Sequence, residues 1–332
     1  MNALFKTITT AAFAAALAVA AVPAAQTPAH AAEDITFLFP APEFLPAFSP
    51  YQLAKAKGYY ADEGLNVTFQ VGKGGADVAK QVALGNAAMG NSIGDTPIIV
   101  RANGLPVKDV AMLGGKALTQ IVINKKTGAD GIAGLKGKKI GVMSFQDTTY
   151  YNLLGALAAV GLTKDDVEIQ AVGPAGVMQL MIAGDLDAIS GVPEWAAAIE
   201  AAGVELTIQP INDLFPATAQ AIVASDDTIA NKPEVVQGFV TGTLKALKEI
   251  MTDPAGASTF LAENVPAFEG KQKMLEGVMN RYNTLVYPVA DMADLGKIDP
   301  DRLKAVEDFY LEHGIVTTAT PIDELYTNQF VQ

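Results

Sequence analysis

The sequence has no cysteine, two histidines, three arginines and a single tryptophan. Without cysteine there are no disulfides, no thiolate nucleophile, no cysteine-bound metal and no lipid-modified N-terminal cysteine. His30 lies in a leader segment described below, which leaves His313 as the histidine of a mature chain. A histidine triad, a His-rich metal site or a proton shuttle would have to be built around that one side chain. Basic charge is also scarce: 23 Lys and Arg face 36 Asp and Glu, for a formal net charge of −13. Such a chain does not bind nucleic acid phosphates non-specifically. Charges, glycines or prolines interrupt every apolar stretch beyond the leader before it reaches the ~20 residues a membrane span needs.

What is present begins with the leader. Lys6 is followed by an alanine-rich apolar run from Phe13 to Val22 and by the small-x-small site Ala29-His30-Ala31. This pattern predicts a secretory signal peptide over 1–31, with cleavage after Ala31. The remaining length favours two domains over one. From Ile35 onward, short apolar runs alternate with helical spacing. Strands are expected at Ile35–Phe39, Leu65–Val71, Val110–Leu113, Thr119–Ile123, Ile140–Met143, Val167–Val172, Ala188–Ile189, Leu206–Ile208 and Ala219–Ala224. Helices are expected between them, and a mostly helical tail runs to Gln332. This alternation predicts α/β layering on an open, largely parallel sheet. Five polar or Gly/Ser-rich stretches (40–49, 72–75, 91–96, 144–149 and 190–195) follow predicted strand ends, where open α/β sheets bind ligands.

Five segments, in order, then carry a family resemblance: SPYQLAKAKGYYADEGLNV, LGNAAMGNSIGDTPIIVRANGLPV, LKGKKIGVMS, VGLTKDDVEIQAVGP and LMIAGDLDAISGVPEW. Over about residues 35–265 the chain resembles the substrate-binding proteins of ABC importers. It is most similar to the thiamine-pyrimidine, alkanesulfonate and nitrate branch (NMT1/THI5-like). The resemblance implies a two-lobed type II periplasmic binding fold with a hinge and a central ligand cleft. Lobe one would comprise 33–117 plus 221–332 and lobe two 118–220, hinged near 118–123 and 219–224. It further implies a small-molecule ligand, and permease and ATPase partners in the inner membrane.

Candidate ligand residues come from the five stretches, each with a structural alternative. Phe39, Pro42 and Phe44 occupy the first, and its phenylalanines, with Phe48, are divided between core and cleft mouth. Gly74 sits in the Gly72–Gly75 turn, which lacks the Gly-x-x-x-x-Gly-Lys-Ser/Thr spacing of a nucleotide loop; Lys73 beside it is a solvated loop lysine. Ser92 and Asp95, with Asn91, fit either a helix cap or cleft contacts. Ser144, Phe145, Gln146, Thr148 and Thr149 form a ligand-facing loop or cap the next helix. Glu194, at a helix start, complements the helix dipole, or, as the resemblance implies, pairs with an exocyclic amine. Trp195 either packs at a hinge or stacks on ligand. His313, in a tail helix at 307–313, is expected at the surface.

The expectation is a periplasmic, monomeric solute receptor rather than an enzyme, with no catalytic residue, no cofactor and no metal. An enzyme on the same fold, similar to pyrimidine-synthase or chorismate-processing relatives, is the rival class. The first of these needs histidine and cysteine chemistry, and export would waste the second. A transcription regulator would need a helix-turn-helix before the lobes. None of the three arginines (Arg101, Arg281 and Arg302) falls in the five stretches, so a bidentate clamp on an oxyanion is not expected. Aromatic and acidic residues favour a planar nitrogen heteroaromatic such as a thiamine-precursor pyrimidine. Sulfonates, taurine, nitrate and aromatic carboxylates are the alternatives.

Overall fold

A computed structural model describes residues 32–331. The expected signal peptide lies outside the described residues. Beginning at β1 (Glu33–Phe39), the chain continues through α1 (Ser49–Ala56), α2 (Tyr59–Asp62), β2 (Leu65–Val71), α3 (Gly75–Ala83), β3 (Met89–Ile93), α4 (Thr96–Arg101) and β4 (Val107–Leu113). A second set follows: β5 (Gln120–Asn124), β6 (Lys139–Val142), α5 (Thr148–Ala159), β7 (Glu168–Ala171), α6 (Gly173–Ala183), β8 (Ala188–Gly191), α7 (Pro193–Ala201) and β9 (Leu206–Pro210). After β10 (Gln220–Ser225) the tail is helical: α8 (Asp226–Asn231), α9 (Pro233–Thr252), α10 (Pro254–Asn264), α11 (Gln272–Leu285), α12 (Pro300–Glu312) and α13 (Ile322–Leu325).

The strands form two five-stranded sheets in the orders β2-β1-β3-β10-β4 and β7-β6-β8-β5-β9. The fold is therefore a two-lobed α/β structure. Each sheet is mixed rather than simply parallel, because one strand runs against both neighbours: β10 in the first and β5 in the second. Those are the two strands by which the chain enters each sheet from the other. The strand-free crossings are 114–119 and 211–219, so the hinge ranges expected at 118–123 and 219–224 overlap strands β5 and β10.

Local sequence accounts for these elements. Alternating burial along β2 matches a strand with one face on the core. The central strands β3, β8 and β10 are buried on both faces. The segment 91–96 is therefore not a loop throughout. Asn91 and Ser92 belong to β3, where Asn91 is buried and donates to the Tyr51 hydroxyl at 2.8 Å. Along α9, Val235, Val236, Phe239, Val240, Ala246, Leu247 and Ile250 recur at helical spacing and face inward. Phe239 stacks on Phe37 at 4.5 Å and on Tyr60 at 4.7 Å, and Phe39 stacks on Phe48 at 4.4 Å. These rings form the centre of the first lobe. Among the described residues no helix is long and apolar enough to cross a membrane.

Candidate ligand-binding site

Segments following β1, β2, β6 and β8 converge with the end of β3 and the start of β10 on one cavity of about 50 Å³. That volume admits only a few water molecules. Its wall includes Phe48, Ser92, Met143, Asp147, Thr148, Thr149, Glu194, Trp195 and Gln220. Five predicted residues are thus brought together: Ser92, Thr148, Thr149, Glu194 and Trp195. Among the described residues no lysine, arginine or histidine lines this cavity. Three buried polar atoms on its wall, Ser92 Oγ, Trp195 Nε1 and Gln220 Oε1, have no hydrogen-bond partner among the described residues. A buried polar atom left unpaired costs free energy.

The other predicted residues lie elsewhere, for identifiable reasons. Phe39 is fully buried in the aromatic core, because as the last residue of β1 its ring turns inward against Phe48 and Tyr51. Pro42 is exposed on the loop beyond the cavity-lining Pro40 and Ala41. Phe44 is also exposed, its ring edge-on to Phe268 at 5.9 Å. Ser144 accepts from the Gln146 amide at 3.0 Å, a local turn contact. Phe145 and Gln146 are exposed, and Phe145 packs edge-on to Tyr150 at 5.1 Å. His313 is exposed at the end of α12.

Gly74 marks a contact between lobes instead of a ligand contact. Its φ is +113°, and a Cβ there would come within 2.6 Å of the Gln146 carbonyl. A Cβ on Gly75 would stand 2.5 Å from Thr148 Oγ1. The two glycines let the start of α3 meet the start of α5 backbone to backbone. There Ala76 N donates to Gln146 O at 3.1 Å, Gly75 N donates to Asp147 Oδ2 at 3.1 Å, and the Thr96 and Thr148 hydroxyls lie 2.8 Å apart.

Asp147 also caps its own helix, accepting from Thr149 N at 3.0 Å and Thr149 Oγ1 at 2.5 Å. Its carboxyl therefore already takes donors from the positive ends of two helices. Burial raises its pKa, and these hydrogen bonds hold the rise back. Glu194, in the first turn of α7, is 6 % exposed and accepts from the Tyr282 hydroxyl of α11 at 2.6 Å. Burial pushes its pKa up from 4.5 to about 7, with the Tyr282 bond working against the rise.

Asp95 is buried off the cavity, at the junction of both crossings. Its Oδ1 accepts from the amide (3.1 Å) and the hydroxyl of Thr218, and its Oδ2 from Asn152 Nδ2 (2.6 Å) and the Tyr310 hydroxyl (3.0 Å). Asn152 also donates to Tyr310 at 2.8 Å and accepts from Thr119 at 2.6 Å. Burial raises the Asp95 pKa, opposed by these donors. Sequence windows missed Asn152, Thr218, Tyr282 and Tyr310, since each meets its partner only through the fold. Arg281 and Arg302 likewise sit at the lobe boundary. Arg281 pairs with Glu200 at 2.7 Å, and Arg302 donates to Ala217 O at 2.8 Å.

The family model described as NMT1/THI5 like matches residues 45–257. The chain belongs to the NMT1/THI5-like family. The riboflavin-binding protein RibY of Chloroflexus aurantiacus is 27% identical over 86% of this chain and 82% of its own length. The taurine-binding periplasmic protein of Escherichia coli is 29% identical over 85% and 89%. A 4-amino-5-hydroxymethyl-2-methylpyrimidine phosphate synthase of Aspergillus parasiticus is 28% identical over 64% and 65%. Among solved structures, the alkanesulfonate-binding protein SsuA of Xanthomonas axonopodis, bound to MOPS, aligns with a TM-score of 0.72. It is 17% identical and covers 89% of this chain and 98% of that one, a likeness of fold. This NMT1/THI5-like chain thus has the two-lobed fold of periplasmic binding proteins, and its relatives include both binding proteins and synthases.

Proposed function

We propose that the protein is the extracytoplasmic solute receptor of an ABC importer. In this reading it is exported by its leader and acts as a freely diffusing monomer. Its ligand is a planar, nitrogen-containing small molecule bearing an amine, such as a thiamine-precursor pyrimidine, delivered to an inner-membrane permease driven by its ATPase. Lobe one is 33–117 plus 221–332 and lobe two 118–220, and the crossings at 114–119 and 211–219 flex as the lobes open.

One observation carries the ligand class. Two buried carboxyl groups, Asp147 and Glu194, face a cavity whose described lining contains no basic side chain. An oxyanion would meet like charge there, and the starts of α3 and α5 already donate to Asp147. An amine donor meets Glu194 favourably, while Trp195 and Phe48 offer flat apolar surface for a ring. Binding, rather than synthase chemistry, suits a cavity whose polar lining is Ser, Thr, Asn, Asp, Glu and Gln, with His313 outside that lining at the exposed end of α12. Ligand would act by favouring the closed lobes through its differential affinity for them.

Mass spectrometry of ligand released from protein purified from the periplasm tests this reading. An amine-bearing heteroaromatic is expected. A sulfonate, nitrate or aromatic carboxylate would refute the ligand class, and turnover of the released compound by the protein would refute the receptor class.

A further inference from the structure

A second space adjoins the cavity. Between α7 of the second lobe and α11 of the first lies a groove of about 630 Å³, and Leu45, Glu194 and Trp195 border both spaces. We propose that this groove is a second compartment of the ligand site, holding an apolar extension of the ligand whose amine meets Glu194. This rests on the amine-ligand reading above and extends it to a two-part molecule, a polar heteroaromatic head with an apolar tail.

Size is the first argument. The inner cavity, at about 50 Å³, is small beside the groove at about 630 Å³. The groove's space comes from its residues. Ala198 and Ala201 of α7 face Gly277 of α11, and a Cβ added at Gly277 would meet nothing within 4 Å. Glycine inside a helix sacrifices stability relative to alanine, and at this position no neighbour demands it. Met178 and the 44 % exposed Met274 flank this floor with adaptable thioethers. The charged groups of the wall are Glu194, Glu200, Lys273 and Arg281. The wall between the compartments is Trp195, 3 % exposed, with Leu45 and Glu194 beside it.

Position then gives the groove a role. Arg281 of α11 reaches across to Glu200 at 2.7 Å and to the Pro193 carbonyl at 3.3 Å, joining the two walls. The groove exists in this form only while α7 and α11 are together, so a tail lying in it touches both lobes and favours their closed arrangement. A ligand gains leverage on a two-state protein only through such differential contact.

Calorimetry with two probes tests this: 4-amino-2-methylpyrimidine, and the same ring carrying a butyl chain at carbon 5. Each methylene buried tightens binding roughly fourfold, so the butyl probe should bind the wild-type protein well over tenfold more tightly. Gly277→Leu fills the groove from α11 and Ala198→Leu from α7; either should bring the ratio of the two affinities close to one. Gly277→Ala, adding one methyl into open space, should retain most of the gain. Equal affinities in the wild type, or a gain untouched by both leucine variants, would overturn the proposal. Glu194→Gln separates it from the amine reading: both probes should weaken alike and their ratio should persist. Tight binding of the butyl probe alone, sensitive to Gly277→Leu but not to Glu194→Gln, would keep the groove and discard the amine contact. Binding of neither probe would overturn both.

Discussion

Replacing Glu194 by glutamine should change the pH dependence of ligand affinity and of stability in opposite senses. The side chain keeps its shape and loses its charge. In the ligand-free protein its pKa is about 7, raised by burial from 4.5. Between those values the native state binds more protons than the unfolded chain, so stability contributed at pH 4 is lost as pH rises through 7. A rise of that size corresponds to roughly 3 kcal/mol, at about 1.36 kcal/mol per pH unit. Wild-type protein should therefore melt several degrees higher at pH 5 than at pH 8. Asp95, Asp147 and Asp109, all raised by burial, act in the same direction, and Glu194→Gln should reduce the difference without abolishing it. Affinity for an amine donor runs the other way, because the carboxylate is the acceptor. A charge-assisted hydrogen bond is worth roughly 1.5–3 kcal/mol. With a pKa of about 7, binding should then be roughly 8- to 25-fold tighter at pH 8 than at pH 5.5, and the Glu194→Gln variant should lose most of that slope. Calorimetry against an aminopyrimidine, beside thermal melts over the same buffers, measures both. A wild-type affinity independent of pH, or one whose slope survives in Glu194→Gln, would refute the reasoning.

Two further outcomes follow from the geometry and a third from the leader sequence. Asn152→Ala removes a donor to the buried Asp95 and the acceptor of Thr119. It should lower stability in urea titrations by about 1–3 kcal/mol, and a loss below roughly 0.5 kcal/mol would show that the network does not hold the lobes. Gly74→Ala places a methyl against the Gln146 carbonyl in a backbone conformation that favours glycine. Small-angle scattering should then show a larger radius of gyration with saturating ligand than for the ligand-bound wild type, and identical values would argue against this contact as the limit of closure. N-terminal sequencing of protein from the periplasmic fraction should start near Ala32 or Glu33, and an intact Met1 would contradict export by cleavage.

Much of the fold was legible because its signals are local. The alternation of Leu65–Val71 coincides with β2, and Gly58, in the left-handed region at φ 76°, follows the first helix where a stop was expected. All five polar stretches contribute to the cavity wall, four of them from beyond strand ends and 91–96 from within β3, since strand direction brings those ends together. Individual side chains were less legible. Phe39, Phe44 and Phe145 look alike in a window of sequence, yet one ends a central strand facing the core and two stand on exposed loops. Asp147 could be recognised locally as a helix cap. Its bond to Gly75, 72 residues away, could not. The same holds for Tyr282 with Glu194, 88 residues apart, and Tyr310 with Asn152, 158 apart. All three contacts join the lobes, and the two tyrosine contacts arise only with the return of the helical tail. The antiparallel strands β5 and β10 were hidden for a related reason: strand direction depends on how the chain crosses between sheets, which no hydrophobic period records.

The central claim is that the cavity receives an amine-bearing heteroaromatic and not an oxyanion. Titrating ligand-free protein at pH 8 with an aminopyrimidine and, separately, with an alkanesulfonate tests it most directly. Saturable heat is predicted for the aminopyrimidine and none for the sulfonate at the same concentrations. Tight binding of the sulfonate with no response to the aminopyrimidine would contradict it.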